Sequence, residues 1–502
     1  MSAVQTVVPR RLSSLLAGIG AVGSDEDCAV SDITLDSREV QPGSCFIALR
    51  GRRENAFERY AADARAQGAV AIVTEDPSSD ETHDIPVIRV PALRAKLGEL
   101  ANRFFDTPSA TVRVFAVTGT NGKTTVAHLA AQALGQLDRP CGYIGTLGAG
   151  VPDVLEPGPN TTPDVITINR WLARFRSRGL TAATLEASSH ALDQGRLDGV
   201  SLHAAAFTNL GHDHLDYHGD LDHYARSKRR LFEQPGLRAA VVNVDDPVGA
   251  ALATDLRTLP GLWTCSARGE HDVQRIPVTV RAENIELGLD GLHFELRTLR
   301  RRDRIVSRLV GRFNVDNLLL IAGLLLAAGC EADRIAGCLA RLHAVPGRME
   351  YCGQSARGAH VFVDFAHTPD GLSAALGTLR EVAPGRLCVA FGCGGNRDRA
   401  KRPLMAAAVE RHADYAIVTA DNPRDETTAS IAEQIVSGFS TAMNYRVIDD
   451  RAAAIRTAIA EGAAGDIVLI AGKGHETVQE SAGRSVPFSD REQIRMVLRA
   501  ES

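Results

Sequence analysis

Residues Val114-Phe-Ala-Val-Thr-Gly-Thr-Asn-Gly-Lys-Thr-Thr125 decide the fold. An apolar run enters a glycine-rich turn, and a helical pattern opens near Thr124. A strand–turn–helix of this kind lets backbone N–H groups approach a polyphosphate, and the helix N-terminus adds partial positive charge. Lys123 can reach the terminal phosphates, and the Thr124 hydroxyl can ligate Mg²⁺. The match to G-x-x-x-x-G-K-[ST] is imperfect, because Val117 stands at the first glycine position. The flanking strand and helix make the signal strong.

The same grammar recurs on either side. Short apolar runs at 112–117, 181–185, 204–207 and 239–244 alternate with helical patterns, as do 360–365, 387–391, 415–419 and 466–470. That alternation predicts an α/β protein with parallel sheets and crossover helices. Nearly every polar cluster falls just past the carboxyl end of one of these strands, where open α/β sheets bind ligands. At 502 residues the chain is too long for one core. Turn-rich Asp106-Thr-Pro-Ser-Ala-Thr111 and the Pro346-Gly347 break suggest three domains, 1–109, 110–343 and 344–502.

Composition narrows the function classes. A net charge of −5 gives no global field to recruit nucleic acid or an anionic membrane. Nine cysteines without CxxC pairs read as reduced thiols in a cytoplasm rather than a disulfide framework. The N-terminal apolar stretch is too brief for an export signal. The longest apolar run, 318–328, is about half the length of a bilayer span, so no membrane insertion is expected.

Two strand ends carry the remaining chemistry. Thr184-Leu-Glu186-Ala-Ser188-Ser-His190 ends one strand, and Thr208-Asn-Leu-Gly-His-Asp213-His214-Leu-Asp-Tyr-His218 follows another. Hard Mg²⁺ takes oxygen ligands, which makes Glu186 the candidate carboxylate. The histidines suggest zinc, but they are mixed with aspartates in a nucleotide domain. Lys228, in Tyr224-Ala-Arg-Ser-Lys-Arg-Arg-Leu-Phe232, reads from spacing alone as part of a solvated basic helix face.

These residues together resemble the Mur ligases of peptidoglycan synthesis. The resemblance is carried by Gly119-Thr-Asn-Gly-Lys-Thr-Thr125, Glu186-Ala-Ser-Ser-His190, Asp213-His-Leu-Asp-Tyr-His218 and Tyr224-x-x-x-Lys228. It continues through Phe313-Asn-Val-Asp-Asn317, Val345-Pro-Gly-Arg-Met-Glu350, Asp364-Phe-Ala-His-Thr-Pro-Asp370 and Phe391-Gly-Cys-Gly-Gly-Asn-Arg-Asp398. Asp421-Asn-Pro-Arg424 and Gly472-Lys-Gly-His-Glu476 complete an ordered set that spans nearly the whole chain.

The resemblance implies a small N-terminal α/β domain for a uridine nucleotide, a central P-loop ATPase and a C-terminal Rossmann-like domain for an amino acid. Within the family the set looks most like the third ligase of the pathway. That enzyme adds meso-diaminopimelate to UDP-N-acetylmuramoyl-dipeptide with ATP and Mg²⁺, and a cytoplasmic monomer is expected. It implies that Lys123, Glu186, His214 and Lys228 are catalytic. Lys228 would carry a carbamate and serve the metal ions together with Thr124, Glu186 and His214. This overturns the reading of Lys228 from spacing. ATP would meet Gly119, Thr120, Asn121, Gly122, Lys123, Thr124 and Thr125, with Asn317, Arg348 and Asp364 around base and ribose. Leu35, Ser37 and the segment after Gly51 would hold the uridine end. Asn160, Thr161, Thr162, Ser188, Gln194 and Arg196 would hold the muramoyl-dipeptide. Arg397, Asp421, Asn422, Pro423, Arg424, Gly472 and Glu476 would bind diaminopimelate.

Three departures stand out: Asn55-Ala56 where Asp-Gly is usual, Gly211-His212 where an arginine often precedes Asp-His, and Asn396 in place of a common aspartate. Alternatives remain open. A lysine-adding ligase is the near rival, although such relatives typically lack the arginine at 424. Folylpolyglutamate synthetase lacks the Leu-Asp-Ser-Arg38 segment. A P-loop motor or nucleotide sensor would leave Asn-Pro-Arg424 and Gly-Lys-Gly-His-Glu476 unexplained.

Overall fold

A computed structural model describes residues 8–50, 56–75, 84–211, 213–268 and 276–500, without the side chain of residue 56. The 51–55 stretch and His212 lie outside them. Two compact units emerge. One is built from Met1–Cys265 with Asp272–Val278 and Gly323–Cys330. The other is built from Ser266–His271, Thr279–Ala322 and Glu331–Ser502.

Among its described residues the first unit holds strands of three sheets, the smallest being the antiparallel pair Arg10–Arg11 and Ala29–Val30. Strands Asp32–Thr34, Ser44–Ala48, Ala71–Thr74 and Val87–Arg89 pair in parallel, in chain order. The largest sheet sets Arg113–Thr118 between Ala182–Glu186 and Leu202–Phe207. Cys141–Gly145 lies beyond the first neighbour, and Ala239–Asn243 and Gly261–Ser266 lie beyond the second. The pairs named in this sheet are all parallel. The central strands are buried along almost their whole length, which is why they read as continuous apolar runs. The order reverses at Arg113–Thr118, so a crevice opens past its carboxyl end. Helix Lys123–Gln136 begins there, one residue before the expected start.

The second unit also follows the parallel grammar. Its six-stranded sheet runs Glu350–Gln354, His360–Asp364, Ile467–Ala471, Leu387–Phe391, Tyr415–Val418, Tyr445–Val447, parallel except for its first pair. Expected and observed strands differ by no more than two residues at either end. The alternating-sheet reading missed the antiparallel pairings of Val280–Gly288, Gly291–Thr298 and Arg302–Ser307. Their every-other-residue burial is a period-2 pattern, not a continuous run.

One buried ion pair braces this unit. Arg451 and Asp490 are both fully buried and meet through two hydrogen bonds of 2.7 Å. Arg451 also donates to Ala420 O at 3.0 Å and Ala471 O at 2.9 Å, the carbonyls that precede Asp421 and Gly472. Asp490→Ala leaves a buried guanidinium without its counter-ion, and the expected loss is about 3–5 kcal/mol. Urea unfolding measures it, and a loss below about 1 kcal/mol would contradict the bracing role.

Candidate active site

Backbone geometry explains the glycines of the phosphate loop. Gly119 has φ +148° and Gly122 φ +83°. A Cβ on Gly119 would sit 1.8 Å from Thr208 Oγ1. Lys123 folds back over the loop, its Nζ donating to Gly119 O at 2.9 Å and Thr120 O at 2.8 Å. Thr208 Oγ1 donates to Asn121 O and Asn209 Oδ1 accepts from Asn121 N, so the neighbouring strand end fixes the loop.

Glu186 ends its strand fully buried. Thr124 Oγ1 donates to Oε2 at 2.8 Å, and Thr146 reaches both carboxylate oxygens through its N–H at 2.8 Å and hydroxyl at 3.1 Å. Tyr143 donates its phenol to Oε1. Sequence reading missed Tyr143 and Thr146. The available signal was a tyrosine inside a buried strand, whose hydroxyl needs a partner.

Lys228 corrects the reading from spacing alone. Its side chain is buried, with only 1% of the residue exposed, because helix Leu221–Arg229 turns this face inward. Its Nζ donates to Gly119 O at 2.7 Å and lies 4.2 Å from the Tyr224 ring centroid. Burial first, then the charge of Lys123, pulls its pKa well below the usual lysine value, and Asp213 opposes the shift. His214 packs edge-on to His190 with ring centroids 4.8 Å apart. Among the described residues, no group of three or more His, Cys, Asp or Glu is placed to hold a metal ion.

A cavity of about 220 Å³ brings together Leu35, Asn160, Gln194 and Arg196, with Arg94 also on its wall. Gln194 Oε1 accepts two bonds from Arg196, whose Nη1 donates to Thr162 O at 2.7 Å. Thr162 in turn donates to Glu186 O at 2.7 Å and accepts from Ser188 N at 3.0 Å. Thr161 joins through Thr146, at 3.1 Å. Ser37 is buried in the adjacent turn Ser37–Glu39 and does not line this cavity.

The second unit gathers the other expected residues. Asp364 accepts from Met349 N at 2.6 Å, pinning the turn beside Arg348, which lies over Phe365. Asn317 donates to Asn314 at 3.0 Å. Asp421, Asn422 and Pro423 lead to Arg424, which adopts φ +54°, a left-handed conformation that costs strain in a non-glycine residue. The neighbouring hairpin fixes it. Arg424 N donates to Glu480 O at 3.1 Å and Arg424 O accepts from Ala482 N. Its Nε donates to Glu480 at 2.9 Å and its Nη1 to Gly395 O at 2.8 Å. Among the described residues Nη2 has no hydrogen-bond partner. Arg397 is exposed and, like Arg424, flanks Gly394. Asn396 donates its amide to Asp425 at 2.6 Å, a bond that an ionised aspartate at that position could not make. Also missed was Arg402, which is fully buried and pairs bidentately with Glu426 at 2.9 and 3.0 Å.

Three family domains match the chain in order: Mur ligase family, catalytic domain over 29–105, Mur ligase middle domain over 117–325, and Mur ligase, glutamate ligase domain over 347–474. The UDP-N-acetylmuramoyl-L-alanyl-D-glutamate–2,6-diaminopimelate ligase of Xanthomonas campestris pv. campestris (strain 8004) is 46% identical over 483 residues, 95% of each chain. The chain belongs to the Mur ligase family. A solved structure of a ligase of the same name superposes with a TM-score of 0.68 at 34% identity, covering 94% of this chain and 95% of that one. The fold is also shared with the Acinetobacter baumannii UDP-N-acetylmuramoylalanyl-D-glutamyl-2,6-diaminopimelate–D-alanyl-D-alanyl ligase. That structure is 18% identical with a TM-score of 0.66, over 99% of this chain and 100% of that one. The three-domain α/β architecture expected from the resemblance is thereby established, and the protein is a ligase.

Lys123 is the cation of the glycine-rich loop. Lys123→Ala is expected to lose roughly 3–4 kcal/mol of transition-state stabilisation, a hundredfold or greater fall in rate. Near-normal turnover at saturating ATP would remove Lys123 from phosphoryl transfer.

Proposed function

We propose that the protein is the ATP-dependent ligase that joins meso-diaminopimelate to the D-glutamate γ-carboxylate of UDP-N-acetylmuramoyl-L-alanyl-D-glutamate in peptidoglycan synthesis, and thereby serves cell shape and division. The fixed guanidinium of Arg424 at a strand end carries the choice of amino acid. meso-Diaminopimelate differs from lysine by one distal carboxylate, and an arginine fork matches a carboxylate as lysine does not. The name of the 46%-identical relative supports the same choice.

A carboxylate is a poor electrophile, so the γ-carboxylate oxygen first attacks the ATP γ-phosphorus and ADP leaves, giving an acyl phosphate. The amine then adds to the acyl carbon, loses a proton, and the tetrahedral intermediate expels phosphate. In this reading Lys123 and the loop N–H groups offset the charge of the phosphoryl group in flight. Asn160, Thr161, Thr162, Ser188, Gln194 and Arg196 hold the muramoyl-dipeptide beside them, and Leu35 and Ser37 its uridine end. Asn317, Arg348 and Asp364 meet the nucleoside of ATP. Arg397, Asp421, Asn422, Gly472 and Glu476 hold the amino acid with Arg424. The domains 1–109, 110–343 and 344–502 are proposed as the uridine-nucleotide, ATP-binding and amino-acid-binding domains. The nine free cysteines fit a reducing cytoplasm, and the working state is proposed to be a monomer.

Thr124, Glu186, His214 and Lys228 as its carbamate would hold Mg²⁺, which when bound offsets the phosphate charge. The Thr124–Glu186 contact fits a hard ion that takes few protein oxygens and keeps its waters. Burial and the charge of Lys123 pull the Lys228 amine well below the usual lysine pKa, so it gives up its proton more readily, and the neutral amine can add to CO₂, releasing one proton and leaving a carboxylate-like group. Lys228→Ala should be nearly inactive and partly restored by added short carboxylates. A bare amine at Lys228 in the active, metal-bound enzyme, seen by mass spectrometry under CO₂, would end the carbamate reading.

Specificity gives the sharper test. A site built on an arginine should reject lysine by ~10⁴-fold, because the guanidinium would be left unpaired. Arg424→Ala is expected to cost roughly 2–5 kcal/mol in kcat/KM with diaminopimelate and much less with lysine. Equal losses for both amino acids would mean that Arg424 does not read the distal carboxylate.

A further inference from the structure

Lys473 lies inside the amino-acid site, yet its side chain is wholly buried. Its Nζ donates to Glu476 Oε2 at 2.8 Å and Asn422 Oδ1 at 2.9 Å, and stands 4.0 Å from Asp421 Oδ1. Asn422 Oδ1 accepts a second bond from Glu480 N at 3.0 Å, which leaves its amide only one orientation. Its Nδ2 accordingly donates to Glu476 Oε2 at 2.9 Å. Two donors thus anchor Oε2. Oε1 has no hydrogen-bond partner among the described residues, and the Glu476 side chain is 32% exposed.

We infer that Lys473 is a positioning residue of the amino-acid site, acting through Glu476 and Asn422 to present one carboxylate oxygen to the ammonium of the incoming amino acid. The inference rests on the function proposed above. Stability does not explain such a group, since a buried ion pair can often be replaced by apolar side chains of similar volume at no loss. Charge does explain it. Asp421 and Glu476 are two carboxylates at one strand edge, and Lys473 reduces the local charge to −1. That still attracts an ammonium.

The groups around Glu476 agree. Burial pushes its carboxyl up, but the hydrogen bond and charge of Lys473, the Asn422 amide and the charge of His475 outweigh burial and hold it below the usual glutamate value. Arg451 also feels both Asp421 and Glu476. Without Lys473, the Asn422 amide and the charge of His475 are left to oppose burial, so the Glu476 carboxyl moves up and protonates at higher pH.

The test is steady-state kinetics of full-length Lys473→Met, varying each substrate in turn. The KM for the amino acid should rise tenfold or more, while those for ATP and the muramoyl-dipeptide stay within twofold. The acid limb of kcat/KM for the amino acid should move to higher pH, and Lys473→Arg should restore part of the loss. In a Glu476→Gln background, Lys473→Met should add little further. An unchanged amino-acid KM, an equal rise in all three KM values, or full additivity with Glu476→Gln would each overturn the assignment. Should Lys473→Met not fold, Lys473→Arg decides alone: a selective rise in amino-acid KM supports the role and a uniform or absent change refutes it. Wild-type turnover with diaminopimelate tests the underlying function separately. The variants are assayed with whichever amino acid the wild type accepts, so the two failures are distinguishable.

Discussion

Burying the Glu186 carboxylate at the end of a central parallel strand removes it from water, and only replacement donors make that tolerable. Three residues supply them: Thr124 from the phosphate-loop helix, Tyr143 from the next strand and Thr146 from the turn beyond it. Each donor belongs to a different element. The carboxylate therefore fixes where the helix starts, how the neighbouring strand registers and where the following turn lies. The Asn160-Thr-Thr162 segment is tied to the same place through the Glu186 carbonyl and Thr146. A single buried charge thus organises the surroundings of the phosphate loop.

Opposite that carboxylate, two ammonium groups converge on one carbonyl. Lys123 and Lys228 both donate to Gly119 O, at 2.9 and 2.7 Å. Like charges so near in a buried setting disfavour the doubly protonated state, and Lys228, the more deeply buried, yields its proton more readily. Lys123 is only half-buried, so under the proposed function it is the one of the two that a polyphosphate reaches. The same fold feature that makes a cation at 123 useful therefore makes an unmodified cation at 228 costly.

Most of this was legible in the sequence for one reason: parallel strands buried on both faces leave continuous apolar runs, and the chemistry sits where those runs stop. The phosphate loop and Glu186 are found that way; Asp364, Asp421 and Gly472 also lie at or just past strand ends, but it is the family resemblance that singles them out. What the sequence hid depends on contacts between distant positions. Nothing local marks Thr146 or Tyr143 as partners of Glu186, 40 and 43 residues away. Lys228 was hidden by its basic neighbours, because a helix of Arg226, Lys228 and Arg229 has the composition of a solvated face although one of the three points inward. The Val280–Ser307 strands escaped because their burial alternates instead of forming a continuous apolar run.

The second unit solves a related problem with cations in place of a carboxylate. Its functional loops leave four different strand ends, and loops alone would wander by more than catalysis tolerates. Arg451 joins the carbonyls before Asp421 and Gly472, and Arg402 draws the loop after Phe391 to Glu426. Lys473 ties Asn422 to Glu476. Each is a fully buried cation with several hydrogen bonds, and each bridges segments remote in sequence. A hydrophobic side chain could fill the same volume, but it could not set the direction of a carbonyl or a carboxylate. Under the proposed function, direction is what distinguishes one amino acid from another that differs by a single carboxylate, and these buried cations would then serve recognition beneath a surface they barely reach.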